Sequence, residues 1–96
     1  MPGERSELVG PVLEGSEMGR ALASVISRAN PDVRIEDRGA YLRVLSPRRC
    51  VLTVRAVERE LGRPFRLPVD LEALMPAFKG LMAISPGRVE WSFGEE

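Results

Sequence analysis

Glu36-Asp37-Arg38-Gly39-Ala40-Tyr41 and Glu60-Leu61-Gly62-Arg63-Pro64-Phe65 decide how this chain is read. Ahead of the first stretch, Val33-Arg34-Ile35-Glu36 alternates apolar and polar, the pattern of a half-buried strand. Asp37-Arg38-Gly39 then supplies turn residues, and Ala40-Tyr41-Leu42-Arg43-Val44-Leu45 reads as a second strand, which predicts a β-hairpin. In the second stretch, Val54, Val57 and Leu61 put an apolar face on a helix that Thr53 can cap. Gly62 sits where a left-handed C-terminal cap belongs, and Pro64 blocks continuation, so the helix gives way to an extended segment.

The remaining punctuation falls on either side of these two units. Residues 1–7 are polar, with Pro2 and Gly3, and are expected to fray, leaving 8–96 as the domain. Leu8-Val9-Gly10-Pro11-Val12-Leu13 reads as an edge strand, because proline cannot donate to a central ladder. Ser16 is placed as a helix N-cap. Met18, Leu22, Val25, Ile26 and Ala29 then follow at helical spacing until Asn30-Pro31 stops the run. Ser46-Pro47-Arg48-Arg49 reads as a turn and Cys50-Val51-Leu52 as a short strand. Residues 69–74 fit either a strand or a helical turn, and Met75-Pro76-Ala77-Phe78-Lys79-Gly80 a loop or one short helical turn. Leu81-Met82-Ala83-Ile84, a turn over Ser85-Pro86-Gly87-Arg88, and Val89-Glu90-Trp91-Ser92-Phe93 make a closing hairpin. The fold class is α+β: a single domain of two strand–helix–hairpin halves, with two small, mostly antiparallel sheets packed with two main helices.

Composition narrows the function. The chain has 96 residues, 44% of them hydrophobic, which suits one domain with a modest core. Lys plus Arg and Asp plus Glu are 14 each. The uncompensated positive charge that phosphate binding wants is therefore lacking, and nucleic acid and membrane surfaces are poor partners. There is no run long enough to span a membrane and no signal-peptide pattern. The single cysteine allows no internal disulfide, which points to the cytoplasm. With no histidine, a Ser-His-Asp triad, a Cys-His pair and a His/Cys zinc site are all ruled out within the chain.

The candidate chemistry is thin. Asp70 and Glu72 would share one face of a strand, where paired carboxylates can serve as acid and base, but no other candidate catalyst accompanies them and a solvated face is much the better explanation. Cys50, flanked by Val51 and Leu52, reads as a small buried hydrophobe. Arg43, Arg48 and Arg49 could grip an anion, or simply decorate a turn. Arg55 and Arg59, one helical turn apart among glutamates, read as a solvated helix face. Trp91 and Phe93 belong to the core. Phe78 stands out: it lies between Pro76 and Gly80, among Met75, Leu81 and Met82, an apolar, Met-containing segment that fits equally an exposed protein-binding surface or a loop folded over the core.

Several further pieces appear in a consistent order: Val9-Gly10-Pro11-Val12, Asn30-Pro31, residues 33–37 with Ala40-Tyr41, Leu52-Thr53, residues 58–65, Leu71-Glu72, and Phe78 with Gly80. In this combination the chain resembles, from Leu8 to Phe93, the effector (coupling) proteins of bacterial multicomponent diiron monooxygenases. The similarity is greatest to those of toluene/aromatic and alkene monooxygenases, with the phenol hydroxylase and soluble methane monooxygenase regulatory proteins as more distant relatives. Pro76 and Lys79 depart from the small or uncharged residues more usual there.

The resemblance implies a regulatory protein, not an enzyme, with no catalytic residues, cofactor or metal of its own. It implies docking on a diiron hydroxylase that works alongside a Rieske-type ferredoxin and an NADH reductase. Docking would shift the hydroxylase's active-site conformation and couple electron delivery and oxygen activation to hydroxylation. The partner-facing residues it implies are Val9, Gly10, Pro11, Leu74, Pro76, Ala77, Phe78 and Gly80. The alternatives are a generic small α+β protein- or ligand-binding module, or an enzyme built on Asp70 or Glu72.

Overall fold

Ser16 starts the first helix, α1 (Glu17–Ala29), from an extended conformation, its Oγ accepting the Gly19 N–H at 3.2 Å. Leu22, Val25 and Ile26 are buried as the periodicity requires, and Met18 is half-buried. Gly19 and Ala23 are buried with them because the helix lies close on the strand before it; a Cβ on Gly19 would reach within 1.8 Å of the Glu14 carbonyl oxygen. Ala29, placed on the apolar stripe, is exposed, and the neighbouring Asn30 turns inward instead. These and all other structural statements come from a computed structural model that describes residues 7–94. The frayed stretch expected over 1–7 lies, apart from Glu7, outside the described residues.

The strands are β1 (Leu8–Glu14), β2 (Arg34–Asp37), β3 (Tyr41–Pro47), β4 (Arg49–Thr53), β5 (Ala77–Lys79), β6 (Leu81–Ser85) and β7 (Arg88–Ser92). The remaining helices are α2 (Val54–Leu61) and the single turn α3 (Val69–Glu72). Two antiparallel sheets form, in the orders β2-β3-β1-β5 and β4-β7-β6. With α1 and α2 they enclose one core, in which Trp91, Leu13, Leu22, Ile26, Leu52 and Leu71 are the largest fully buried side chains. Each such aliphatic chain contributes about 1.5–3 kcal/mol when withdrawn from water. The mixed α+β, single-domain layout read from the sequence is present.

Both expected hairpins form. Arg34 pairs with Leu45 and Asp37 with Leu42 across the first, and Gly39, at φ 80°, takes the turn. Thr53 caps α2 by accepting the Ala56 N–H, and Gly62, at φ 71°, closes the helix with its N–H on the Glu58 carbonyl. On the apolar face of α2 only Val57 is fully buried, with Val54 and Leu61 half-covered.

Three expectations need correction, and one open alternative is decided. First, β1 is not an edge strand. It pairs with β3 on one side and with β5 on the other, and the ladder to β3 skips Gly10 and Pro11, the gap in which a proline is tolerated. Second, the segment expected over 75–80 as a loop or one short helical turn contains β5, a three-residue strand whose local sequence is silent because its pairing partners are 65 to 69 residues earlier. Third, of the two readings open for residues 69–74 the helical turn holds, over Val69–Glu72, so the strand face on which Asp70 and Glu72 were to be paired does not exist. Fourth, the turn expected over 46–49 contracts to Arg48 at φ 65°, with Ser46 and Pro47 extending β3 and Arg49 opening β4.

The chain steps directly from a strand of one sheet to a strand of the other at two positions with positive φ, Arg48 and Gly80; its third crossing, from β4 to β5, runs through α2 and α3. Gly80, at φ 102°, has no room for a side chain: a Cβ there would stand 2.5 Å from the Ser92 carbonyl oxygen and 2.7 Å from Val9 Cγ1. Arg48 is held from several sides. Its N–H donates to the Glu7 carbonyl, its carbonyl accepts the Phe93 N–H, and its guanidinium meets Glu7 at 3.0 Å and lies 5.6 Å from the Phe93 ring centroid.

Candidate functional site

β5 is presented to solvent by the segment that precedes it. After Gly62 the chain crosses the end of the core, pinned by three buried side chains, Phe65, Leu71 and Met75. Polar contacts fix the same path. Glu58 accepts the Phe65 N–H at 2.9 Å, and Asp70 accepts the Arg66 N–H at 2.7 Å. The Leu74 carbonyl accepts the Glu14 N–H at 2.8 Å, which ties the approach to β5 to the end of β1. β5 then pairs with β1: Ala77 with Val12, Phe78 with Pro11, and Lys79 with Gly10.

The eight partner-facing residues implied by the resemblance meet here in two layers. Val9, Gly10 and Pro11 are buried beneath, Leu74 is half-buried, and Pro76, Ala77, Phe78 and Gly80 are exposed. Phe78 is 42% exposed although it is one of only three phenylalanines. Gly10, at φ 145°, belongs to the lower layer for a backbone reason, since a Cβ there would sit 2.0 Å from the Val44 carbonyl oxygen.

The other candidates disperse. The Asp70 carboxylate is occupied by Arg66, while Glu72 is exposed on the helical turn. Cys50 is buried in β4 opposite Trp91, and burial pushes its thiol pKa up to about 12, so it carries no nucleophilic thiolate at neutral pH. Arg43, Arg48 and Arg49 face three different acids, Glu36, Glu7 and Glu90, and do not converge on one anion site. Among the described residues, no group of three or more metal-ligating side chains comes together, and no helix is long and apolar enough to cross a membrane.

An open cleft of about 480 Å³ lies between the start of α1, the end of α2 and α3, with Met18, Leu61, Phe65 and Leu74 among its walls. Arg63 also lines it, its guanidinium meeting the Met18 sulfur at 3.7 Å. The carboxylates near it, Glu14 and Asp70, do not form a catalytic pair, because Asp70 is already engaged by Arg66.

One latch was not legible beforehand. Arg20 on α1 reaches the hairpin turn, donating to Asp37 Oδ2 at 2.6 Å and to the Gly39 carbonyl at 3.2 Å. The Asp37 carboxylate also accepts the Gly39 N–H at 2.8 Å. The hydrogen bond from Arg20, then that from Gly39, holds the Asp37 pKa below the ordinary carboxylate value, and Asp37 in turn raises that of Arg20. The hairpin stretch and the first helix are thereby joined at the surface.

β5 thus stands at the edge of its sheet beside β1 with Phe78 exposed. A family profile, MmoB/DmpM, matches residues 7–92. This chain belongs to the MmoB/DmpM family. It is 36% identical over 88 residues to the effector subunit of the alkene monooxygenase system of Xanthobacter autotrophicus, a match covering 90% of this chain and 86% of that one. Its fold matches a chain from a solved phenol hydroxylase–regulatory protein complex with a TM-score of 0.82 at 21% identity, covering 88% of this chain and 97% of the other. A second structure of such a complex gives 0.78 at 22% identity, covering 88% and 98%. The members named in these comparisons are effector and regulatory subunits, not catalytic components.

Proposed function

We propose that this protein is the effector subunit of a multicomponent monooxygenase and that it binds the diiron hydroxylase component through the surface of β5. Family membership over residues 7–92, joined to an exposed Phe78 on a braced strand, is the observation that carries this reading. The upper layer (Pro76, Ala77, Phe78, with Leu74 and Gly80 at its ends) makes contact. The lower layer (Val9, Gly10, Pro11) sets the height and direction of β5 without touching the partner.

The protein supplies no chemistry of its own. It binds one conformation of the hydroxylase better than another and so shifts the hydroxylase's population, by no more than that difference in affinity. The consequence is coupling: electrons from NADH, passed through a reductase and a Rieske-type ferredoxin, are spent on oxygen activation and hydroxylation instead of unproductive turnover. A protein with these duties works in the cytoplasm beside its partners.

The test is a titration of this protein into steady-state hydroxylation by a cognate hydroxylase with its electron-transfer components. The expected result is a saturable rise in product formed per NADH consumed. A flat titration, with no complex on gel filtration, would sink the proposal.

A further inference from the structure

Four strands end a sheet in this fold, and three of them are guarded. An open edge offers unpaired backbone groups to any passing strand, and proteins blunt such edges with charge or cover. β2 (Arg34-Ile35-Glu36-Asp37) has three charges in four residues, and β5 carries Lys79. β4 is covered from the side by Asn30, whose amide donates to the Val51 carbonyl at 3.0 Å and accepts the Val51 N–H at 3.1 Å. β6 is the exception. Leu81-Met82-Ala83-Ile84-Ser85 has no charge, and its outer edge carries no side-chain cap among the described residues.

β6 also holds Leu81, at 62% the most exposed large hydrophobic residue among the described residues. This side chain is exposed yet seated: it lies over Gly94, where an added Cβ would come within 2.8 Å of Leu81 Cδ1. An apolar group already held in place loses little freedom on binding, which favours it as an anchor. Leu81 follows Phe78 across the single pivot of Gly80, which has no space to shift against Val9 and Ser92.

We infer that the hydroxylase-docking surface does not stop at β5 but continues across Gly80 onto the outer face of β6, with Leu81 as a second apolar anchor beside Phe78. This rests on the proposed function. The partner surface it fits is the same hydroxylase, in a patch that is apolar where it meets Leu81, because β6 itself carries no charge and the nearest charges on this face, Glu90 with Arg49 and Arg88, are already paired with one another on the neighbouring strands.

The experiment uses the full chain and the cognate hydroxylase, comparing wild type, Leu81→Ser, Ala83→Lys and Ile35→Ser. The readouts are the half-saturating concentration for activation and the melting temperature of each free protein. Leu81→Ser is expected to raise the half-saturating concentration about tenfold or more with an unchanged melting curve, the behaviour of an interface anchor. Ala83→Lys, on the same outer face and opposite Glu90, lays a long charged side chain beside Leu81 and is expected to act in the same direction. Ile35→Ser, on the guarded β2 edge, is expected to stay within about twofold of wild type. A Leu81→Ser and an Ala83→Lys protein that both activate like wild type would overturn the inference while leaving the proposed function standing. So would an Ile35→Ser defect as large as that of Leu81→Ser. A wild-type protein that fails to activate would overturn both readings together.

Discussion

Phe78 stands opposite Pro11 across the β1–β5 ladder, its ring exposed while the proline is fully buried. The exposed residue is thus mounted on the least deformable residue type, in a strand locked between two neighbours. Phe78→Ala is expected to leave the melting temperature of the free protein almost unchanged, because the ring gives little to the core. It should weaken hydroxylase binding severalfold in the activation titration. A large fall in melting temperature with undiminished binding would show that the ring is a core residue.

Gly10 and Gly39 both have positive φ, but only Gly10 faces backbone at close range. Gly39→Ala should therefore cost only the conformational term, about 1–2 kcal/mol. Gly10→Ala adds a collision with the Val44 carbonyl and should cost clearly more, with loss of β1–β5 pairing. Chemical denaturation of the two variants side by side checks the order; equal losses would mean that the sheet yields at Gly10.

Trp91 is fully buried, and its Nε1–H has no partner among the described residues. Trp91→Ala is expected to lose about 3–5 kcal/mol through the cavity it leaves. Trp91→Phe removes an unpaired donor whose burial itself costs about 1–3 kcal/mol, so it should lose much less than Trp91→Ala. Equal unfolding free energies for the two variants would contradict the orphaned indole.

Asn30 joins the end of α1 to the edge of β4 with three side-chain hydrogen bonds, two to Val51 and one to the Ile26 carbonyl. Asn30→Ala strips both Val51 backbone groups of these partners and should cost about 1–3 kcal/mol. Amide hydrogen exchange at Val51 is the direct measurement. Unchanged protection there would mean that water replaces the amide without loss.

The Cys50 thiol, pushed up from 9.0 to about 12 by burial, makes stability depend on alkaline pH. Below about pH 9 the thiol is protonated in both states and there is no effect. Above it the unfolded chain loses the proton first, so stability falls by up to about 1.4 kcal/mol per pH unit until the folded thiol titrates. Denaturation midpoints of wild type and Cys50→Ala between pH 8 and pH 11 should diverge in slope, wild type being the steeper. Parallel curves would place the thiol in contact with water.

Local signals carried much of the fold. Ser16, Thr53, Gly39, Gly62 and the two hairpin turns read correctly because each depends on its own side chain and on neighbours within four residues. Legibility failed where a backbone group's partner was distant. β5 is three residues long and is a strand only because β1 offers it a free edge. Pro11 suggested an edge, yet the interrupted ladder to β3 left room for it inside a sheet. Asn30 looked like a helix stop and also proved to be a β4 edge cap, since its second partner, Val51, is 21 residues away.

The sequence by itself determined that there would be two main helices, two hairpins and no triad or His/Cys metal site, because caps, periodicity and the absence of histidine are local or compositional facts. Tertiary structure alone decided that β5 exists, that Val9, Gly10 and Pro11 lie beneath it and that Phe78 and Leu81 face solvent. Those outcomes depend on which strand edges meet and which surfaces remain uncovered when the core closes, and neither property is written in any short run of residues.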